Sequence, residues 1–305
     1  MSARVLLTGA TGHVGGHLLR ALREDGVAVR ATTRRPGSLD LEPPHEVVQA
    51  DVLDSASLAP ALDGVEAAYY LVHSLDASGS FAERDREAAQ GFATAAEEAG
   101  VGRIVYLGGI ARGDDLSDHL ASRAEVGKIL RSAAVPTLEL RASIVIGAGS
   151  LSFETIRNVV DPLPVVTLPE WVKTFSQPIA LDDVVAYLRA ALEVDLPESR
   201  VVEIGGADRV PYLDVMEEYA RQAGLSRRFV TVPVPVGPSA TSLLPDAATA
   251  LVPDSVRATM KLVESLAHET LAEDGGLARE LFPGIEPVGV AEAIRRALDE
   301  ERAAA

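Results

Sequence analysis

The chain of 305 residues is 47% hydrophobic, enough apolar sequence for one large domain or two modest ones. Twenty-eight basic residues against forty-five acidic ones leave a net charge of −17, a field that repels phosphate backbones and anionic membrane surfaces, so neither nucleic acid nor membrane is expected as a partner. Cysteine is absent, which removes disulfide scaffolds, thiolate metal sites and cysteine nucleophiles together.

The first half alternates short apolar runs with longer amphipathic stretches. Arg4 to Thr8 reads as a strand. From Val14, the apolar residues Leu18, Leu19 and Leu22 fall at helical spacing, and Gly26 closes that helix. Further strands are expected at Val27–Thr33, Glu46–Ala50, Val65–Val72, Ile104–Leu107 and Thr137–Ile146, with helices at Phe81–Ala99 and Ser122–Ser132. Such alternation implies βαβ units and a parallel sheet covered on both faces. Beyond Gly147, Pro162, Pro164, Pro169 and Pro178 interrupt the rhythm. A helix at Asp182–Leu192, a strand at Arg200–Ile204, a helix at Tyr212–Ala223, an extended Pro-rich arm at 232–245 and a mainly helical end follow. The fold expected is a Rossmann-type doubly wound α/β sheet over residues 1–147, joined by later strands around 176–205. Residues 148–305 form a smaller, mainly helical substrate region. No run reaches the roughly 18 apolar residues that cross a bilayer, and the N-terminus shows no leader pattern, so a cytoplasmic protein is expected.

The strongest motif is Thr8-Gly9-Ala10-Thr11-Gly12-His13-Val14-Gly15, lying between a strand and a helix. Gly9 suits a tight turn, Gly12 a close backbone approach to a pyrophosphate, and Gly15 close helix–strand packing, with phosphates held at the helix N-terminus. Thr11, His13 and Val14 complete this binding loop. At the end of the second strand, the slot that holds a carboxylate in NAD-binding proteins is occupied by Arg34, with Arg35 beside it. A guanidinium binds a ribose 2′-phosphate, so NADP(H) is the expected cofactor. The alternative is a pair of solvated arginines, which arise readily in a chain this rich in arginine.

These residues resemble the short-chain dehydrogenase/reductase superfamily in its extended and atypical branches, and the NmrA-like NAD(P)H-binding proteins among them. The resemblance covers nearly the whole chain, strongly to about residue 147. It implies that Asp51 and Val52 contact the adenine and that Leu71, Val72 and His73 run beside the cofactor. It also implies that Trp171 lines the substrate pocket, unless that residue is a core anchor. The family's Tyr-x-x-x-Lys is missing: none of the six tyrosines has a lysine four residues later, and the two slots hold His119 and Arg123. The usual serine at the end of the fifth strand is replaced by Gly108-Gly109, after Tyr106.

His119 and Arg123, four apart, share one face of a helix. An imidazole can donate or relay a proton near neutrality, whereas Arg123 stays charged and can only bind the nicotinamide ribose or stabilise a developing oxyanion. A salt-bridged surface pair is the alternative. Tyr106, Gly108 and Gly109 are expected at the substrate, with Gly108 either leaving room for a flat ring or making a tight turn. His13 and His17 form an i, i+4 pair, but no carboxylate nearby in sequence completes a ligand set, and no metal is expected. The function expected is NADPH-dependent hydride transfer to a small conjugated carbonyl or C=C substrate, by a possible homodimer. A non-catalytic NADP(H) sensor and an NAD-dependent epimerase or dehydratase stand as alternatives.

Overall fold

The computed structural model describes residues 4–35, 37–73, 81–113, 116–233, 268–273 and 276–304. Seven parallel strands form the central sheet: β1 (Arg4–Leu7), β2 (Ala28–Thr33), β3 (Glu46–Gln49), β4 (Ala67–Tyr70), β5 (Arg103–Gly109), β6 (Thr137–Ala142) and, numbered in chain order after four short strands introduced below, β11 (Arg200–Ile204). They lie side by side as β11-β6-β5-β4-β1-β2-β3, the Rossmann-type arrangement expected from the sequence. The order reverses at β1, which opens a crevice at the carboxyl ends of the strands.

Side chains alternate across this sheet with period two. Val5, Leu7, Tyr69, Val105 and Leu107 enter one apolar cluster with helices α1 (His13–Glu24) and α6 (Leu181–Ala190). Leu6, Ala68, Tyr70, Ile104 and Tyr106 enter another, beneath α2 (Ser55–Leu62), α3 (Phe81–Glu98) and α4 (Asp118–Ser132). Helix α2 is an addition to the sequence reading. It is only eight residues long with Pro60 inside, and its start is fixed by the Asp54 carboxylate accepting from the Ala56 N–H at 3.1 Å.

The long sixth strand read from the sequence is broken. After Ala142 the chain leaves the sheet, and Val145–Ile146 (β7) pairs in parallel with Ile179–Ala180 (β10). Helix α5 (Leu151–Val160) follows, its first turn capped by Ser150 Oγ accepting from the Phe153 N–H at 3.2 Å. Val165–Pro169 (β8) pairs in parallel with Arg228–Val232 (β13), and Phe175–Ser176 (β9) antiparallel with Val210–Pro211 (β12). A third core joins these pieces to helix α7 (Tyr212–Gln222) and the last helix, α9 (Val290–Ala304), with α8 at Gly276–Leu281. From residue 234 the arm read at 232–245 lies outside the described residues.

Candidate functional site

A cavity of about 840 Å³ runs along the carboxyl ends of β3, β2, β1, β4, β5 and β6. Six strands at the usual spacing of about 4.8 Å give it a length of about 24 Å. It can therefore take an extended ligand with chemically different ends.

At its centre lies the glycine loop. Gly9 holds φ +73°, the left-handed region that glycine tolerates, and a Cβ there would sit 2.6 Å from the Leu71 carbonyl oxygen. A Cβ on Gly15 would lie 2.8 Å from the Gly9 carbonyl carbon and collide with its oxygen. Thr8 stitches β1 to β4, its hydroxyl donating to the Tyr69 carbonyl at 2.9 Å and accepting from the Leu71 N–H at 3.1 Å. Helix α1 starts at an N-cap glycine, Gly12, which makes no side-chain cap, and its first turn holds no acidic residue. The free N–H groups and the helix dipole leave that end ready for an anion. Thr11, Gly12, His13 and Val14 all line the cavity.

Toward β3, Arg34 is exposed on the cavity wall, and its guanidinium has no ion pair among the described residues. Arg35 lies outside the cavity lining. Its N–H donates to Thr33 Oγ1 at 3.1 Å and its carbonyl accepts from the same hydroxyl at 3.2 Å, so it anchors the turn that presents Arg34. Asp51 and Val52 also line this end of the cavity, with Asp51 Oδ1 accepting from the Leu53 N–H at 3.0 Å.

Toward β5 the cavity gathers Leu71, Val72, His73, Tyr106, Gly108, Gly109, His119 and Arg123. The rings of His73 and His119 meet edge to face, with centroids 5.6 Å apart. His73 keeps an edge open to solvent, and the protein packs around the rest of its ring. That burial first, then the charges of Arg123 and His119, hold its imidazole well below the usual histidine range, so it is neutral at physiological pH. The Arg123 guanidinium donates to the Leu107 carbonyl and stands 5.7 Å over the Tyr106 ring.

Two sequence expectations change role here. The Tyr106 hydroxyl donates to the Arg123 carbonyl at 3.0 Å, so it holds α4 against β5 rather than offering a free proton to a ligand. Gly108 and Gly109 continue β5 and form no turn. Gly108 is small because a Cβ would lie 3.0 Å from Glu139 Oε1 and 3.2 Å from Tyr106 Cε1. Glu139 is a buried carboxylate on β6, clamped by Arg131 at 2.6 Å and Arg141 at 2.7 Å.

Trp171 is absent from the cavity lining; it sits on a short 3-10 helix, Glu170–Lys173, against the third core. The His13 and His17 rings stand edge on at 5.0 Å, and Glu300 of α9 reaches His17 Nε2 at 3.1 Å, a carboxylate that sequence spacing does not reveal. Among the described residues no group of three such side chains is arranged for a metal. Lining residues that the sequence did not single out include the buried Asp85, which accepts from Ser122 Oγ at 3.1 Å, together with Ser143, Ile144 and Thr270. They carry no motif and meet only through the fold.

Residues 9–143 match the family described as NAD(P)H-binding. A 3 beta-hydroxysteroid dehydrogenase/Delta 5-->4-isomerase of Mycobacterium tuberculosis (strain ATCC 25618 / H37Rv) is 33% identical over 131 residues, 37% of this chain; the match spans only 35% of that relative's length. A ceramide reductase of Caulobacter vibrioides is 29% identical over 239 residues, 76% of this chain and 74% of the relative. Among solved structures, MoeE5 in complex with UDP-glucuronic acid and NAD superposes with a TM-score of 0.73 at 19% identity, covering 99% of this chain and 100% of that one. That likeness shows the shared fold.

Proposed function

We propose that this chain, whose residues 9–143 match the NAD(P)H-binding family, is an NADP(H)-dependent reductase of the extended short-chain dehydrogenase/reductase type, acting on an apolar, conjugated carbonyl or C=C substrate. The observation that carries the reading is the single cavity that joins the glycine loop and Arg34 to the His73, His119 and Arg123 cluster. The residues fit the nucleotide: a cradle with no space for a Cβ, an uncapped helix start and a guanidinium without an ion pair among the described residues. In this division of labour residues 1–147, with β11 completing their sheet, hold the nucleotide, and the described residues beyond 147 outside that sheet serve the substrate.

When bound, the reduced nicotinamide supplies a hydride. The glycine loop and the α1 N-terminus hold the pyrophosphate, and Arg34 pairs with the 2′-phosphate. Arg123, fixed by the Leu107 carbonyl and the Tyr106 ring, presents its remaining N–H groups to the oxygen that gathers negative charge. His119 donates the proton that completes reduction, and neutral His73 beside it accepts or relays one. The names of the steroid and ceramide relatives support an apolar carbonyl substrate. The missing Tyr-x-x-x-Lys favours a second reading, a non-catalytic NADP(H) sensor.

The test is titration with NADPH, NADH, NADP⁺ and NAD⁺, read by nicotinamide emission and calorimetry because Trp171 stands outside the cavity. A panel of enones and ketones is then assayed with the preferred reduced nucleotide. Preference for the 2′-phosphorylated pair and turnover that falls in His119→Ala and Arg123→Ala support the reductase. Tight NADPH binding with no oxidation by any acceptor would leave the sensor.

A further inference from the structure

Residues 268–273 form a strap tied down at each of its last four positions. Thr270 bridges in parallel to Ser176, its N–H donating to the Phe175 carbonyl at 3.2 Å and its carbonyl accepting from the Gln177 N–H at 3.2 Å. The Leu271 carbonyl accepts from the Arg112 guanidinium. Ala272 donates to Gln177 Oε1 at 3.1 Å and accepts from Arg209 at 3.0 Å, and the Glu273 N–H donates to Glu203 Oε2 at 2.7 Å. So many anchors on four separate parts of the fold hold a short segment in one conformation. Among the described residues of the strap, only Thr270 reaches the cavity, and it is buried.

Its hydroxyl lies 2.7 Å from Ser143 Oγ, another cavity residue. Ser143 follows Ala142, which pairs with Gly109 across the β5–β6 ladder. A Cβ on Gly109 would lie 3.8 Å from Arg123 Nε. The hydroxyl pair therefore follows the strand next to the one that ends beside Arg123, the two strand backbones lying about 4.8 Å apart. Their cavity neighbours Ile110, Ile144 and Val145 are apolar. Two hydroxyls carry two hydrogens, and their mutual bond uses one. Among the described residues neither hydroxyl has another partner. The remaining O–H, polarised by its neighbour and flanked by these apolar side chains, is left to donate into the cavity.

We infer that Ser143 and Thr270 form a polar subsite for an oxygen substituent, a hydroxyl or carbonyl, on an otherwise apolar substrate, placed beside but apart from the reacting group. The inference rests on the reductase reading for what enters the cavity. The strap thereby bears on substrate choice: it carries a second hydroxyl beside Ser143, next to the apolar Ile110, Ile144 and Val145.

The experiment uses the full chain loaded with NADP⁺ or NADPH and a matched pair of probes, 2-cyclohexen-1-one and 4-hydroxy-2-cyclohexen-1-one. Binding of each probe to the NADP⁺ complex is measured calorimetrically, and turnover separately with NADPH. Wild type is expected to bind the hydroxylated probe about tenfold more tightly, the worth of one hydrogen bond to a poorly solvated group. Thr270→Val and Ser143→Ala should each erase that ratio, the double variant should lose no more than either single, and Thr270→Ser should restore it. Ser143→Ala keeps the question decidable if Thr270→Val does not fold. A ratio near one in wild type, or one that survives both substitutions, overturns the inference. So does a loss of NADPH affinity with the probe ratio intact, since the pair would then serve the nicotinamide carboxamide. A binding preference that behaves as expected without turnover upholds the subsite and removes the reductase reading instead.

Discussion

Two adjacent glycines in α1 separate the demands of the nucleotide loop from those of the helix. In Gly15→Ala the new methyl would lie 2.8 Å from the Gly9 carbonyl carbon and 3.2 Å from Ala10 Cα, and would overlap the Gly9 oxygen. A comfortable carbon–carbon contact is about 3.5 Å, so the loop must retreat by at least about 0.7 Å. Every atom it meets is backbone, and no side chain can swing aside. Overpacking of this kind costs about 1–3 kcal/mol, and the displaced peptides are those of the loop proposed to hold the phosphates. If about 1.4–2.8 kcal/mol of that is taken from nucleotide binding, NADPH affinity falls about tenfold to hundredfold. In Gly16→Ala the methyl would meet only the Ala10 carbonyl at 3.6 Å, an ordinary contact. Removing a helix-interior glycine there gains up to about 1 kcal/mol of stability. The assay is an NADPH emission titration beside thermal unfolding of both variants. Gly15→Ala binding NADPH within twofold of wild type would refute the reasoning, as would equal losses in the two variants.

Arg34→Ala should weaken NADPH about tenfold to hundredfold, the worth of about 1.5–3 kcal/mol for a charge-assisted hydrogen bond, while NADH affinity holds; parallel losses for both nucleotides would contradict the assignment. Glu139→Gln leaves Arg131 and Arg141 facing each other without their shared carboxylate. Both arginines are partly solvated, so the lower end of the range for a broken buried pair applies, about 3 kcal/mol, read as a lower urea midpoint at constant slope. His73 should remain neutral through pH 6.5 by NMR, because burial, Arg123 and His119 all depress it. Arg123→Gln removes one of those charges and should move the titration upward, toward but not reaching the ordinary histidine value. A His73 that titrates normally in wild type would exclude the neutral relay.

The sheet was legible because each strand and the helix behind it carry their own local pattern. The run Arg4–Leu7 followed by glycines at 9, 12 and 15 declares strand, turn and helix within a dozen residues, and the structure adds only the reason Gly15 is obligatory. Segments without such a pattern were not legible. Val165–Pro169 and Arg228–Val232 pair across some sixty residues, and neither strand means anything until the other lies beside it. The sixth strand broke at Ser143 for a similar reason: Ile144 gives its carbonyl to the Ile179 N–H instead of continuing the ladder.

The site divides along the same line. His119 and Arg123 share a helix face, so their proximity follows from spacing alone. What each can do there depends on residues that arrive from elsewhere. The Arg123 guanidinium is aimed by a carbonyl and a ring on β5, and His73, at the end of another strand, is the neighbour that shares a ring edge with His119. The same holds for Trp171, which the resemblance placed at the pocket or, alternatively, in the core and which packs against the third core, and for Thr270, an unremarked threonine that the strap carries into the cavity wall. A side chain's type can be read from the sequence, but the charge and the partner that decide its chemistry are set by long-range packing. A histidine in the tyrosine slot therefore predicts a proton carrier only together with Arg123 fixed beside it and His73 held neutral against its edge.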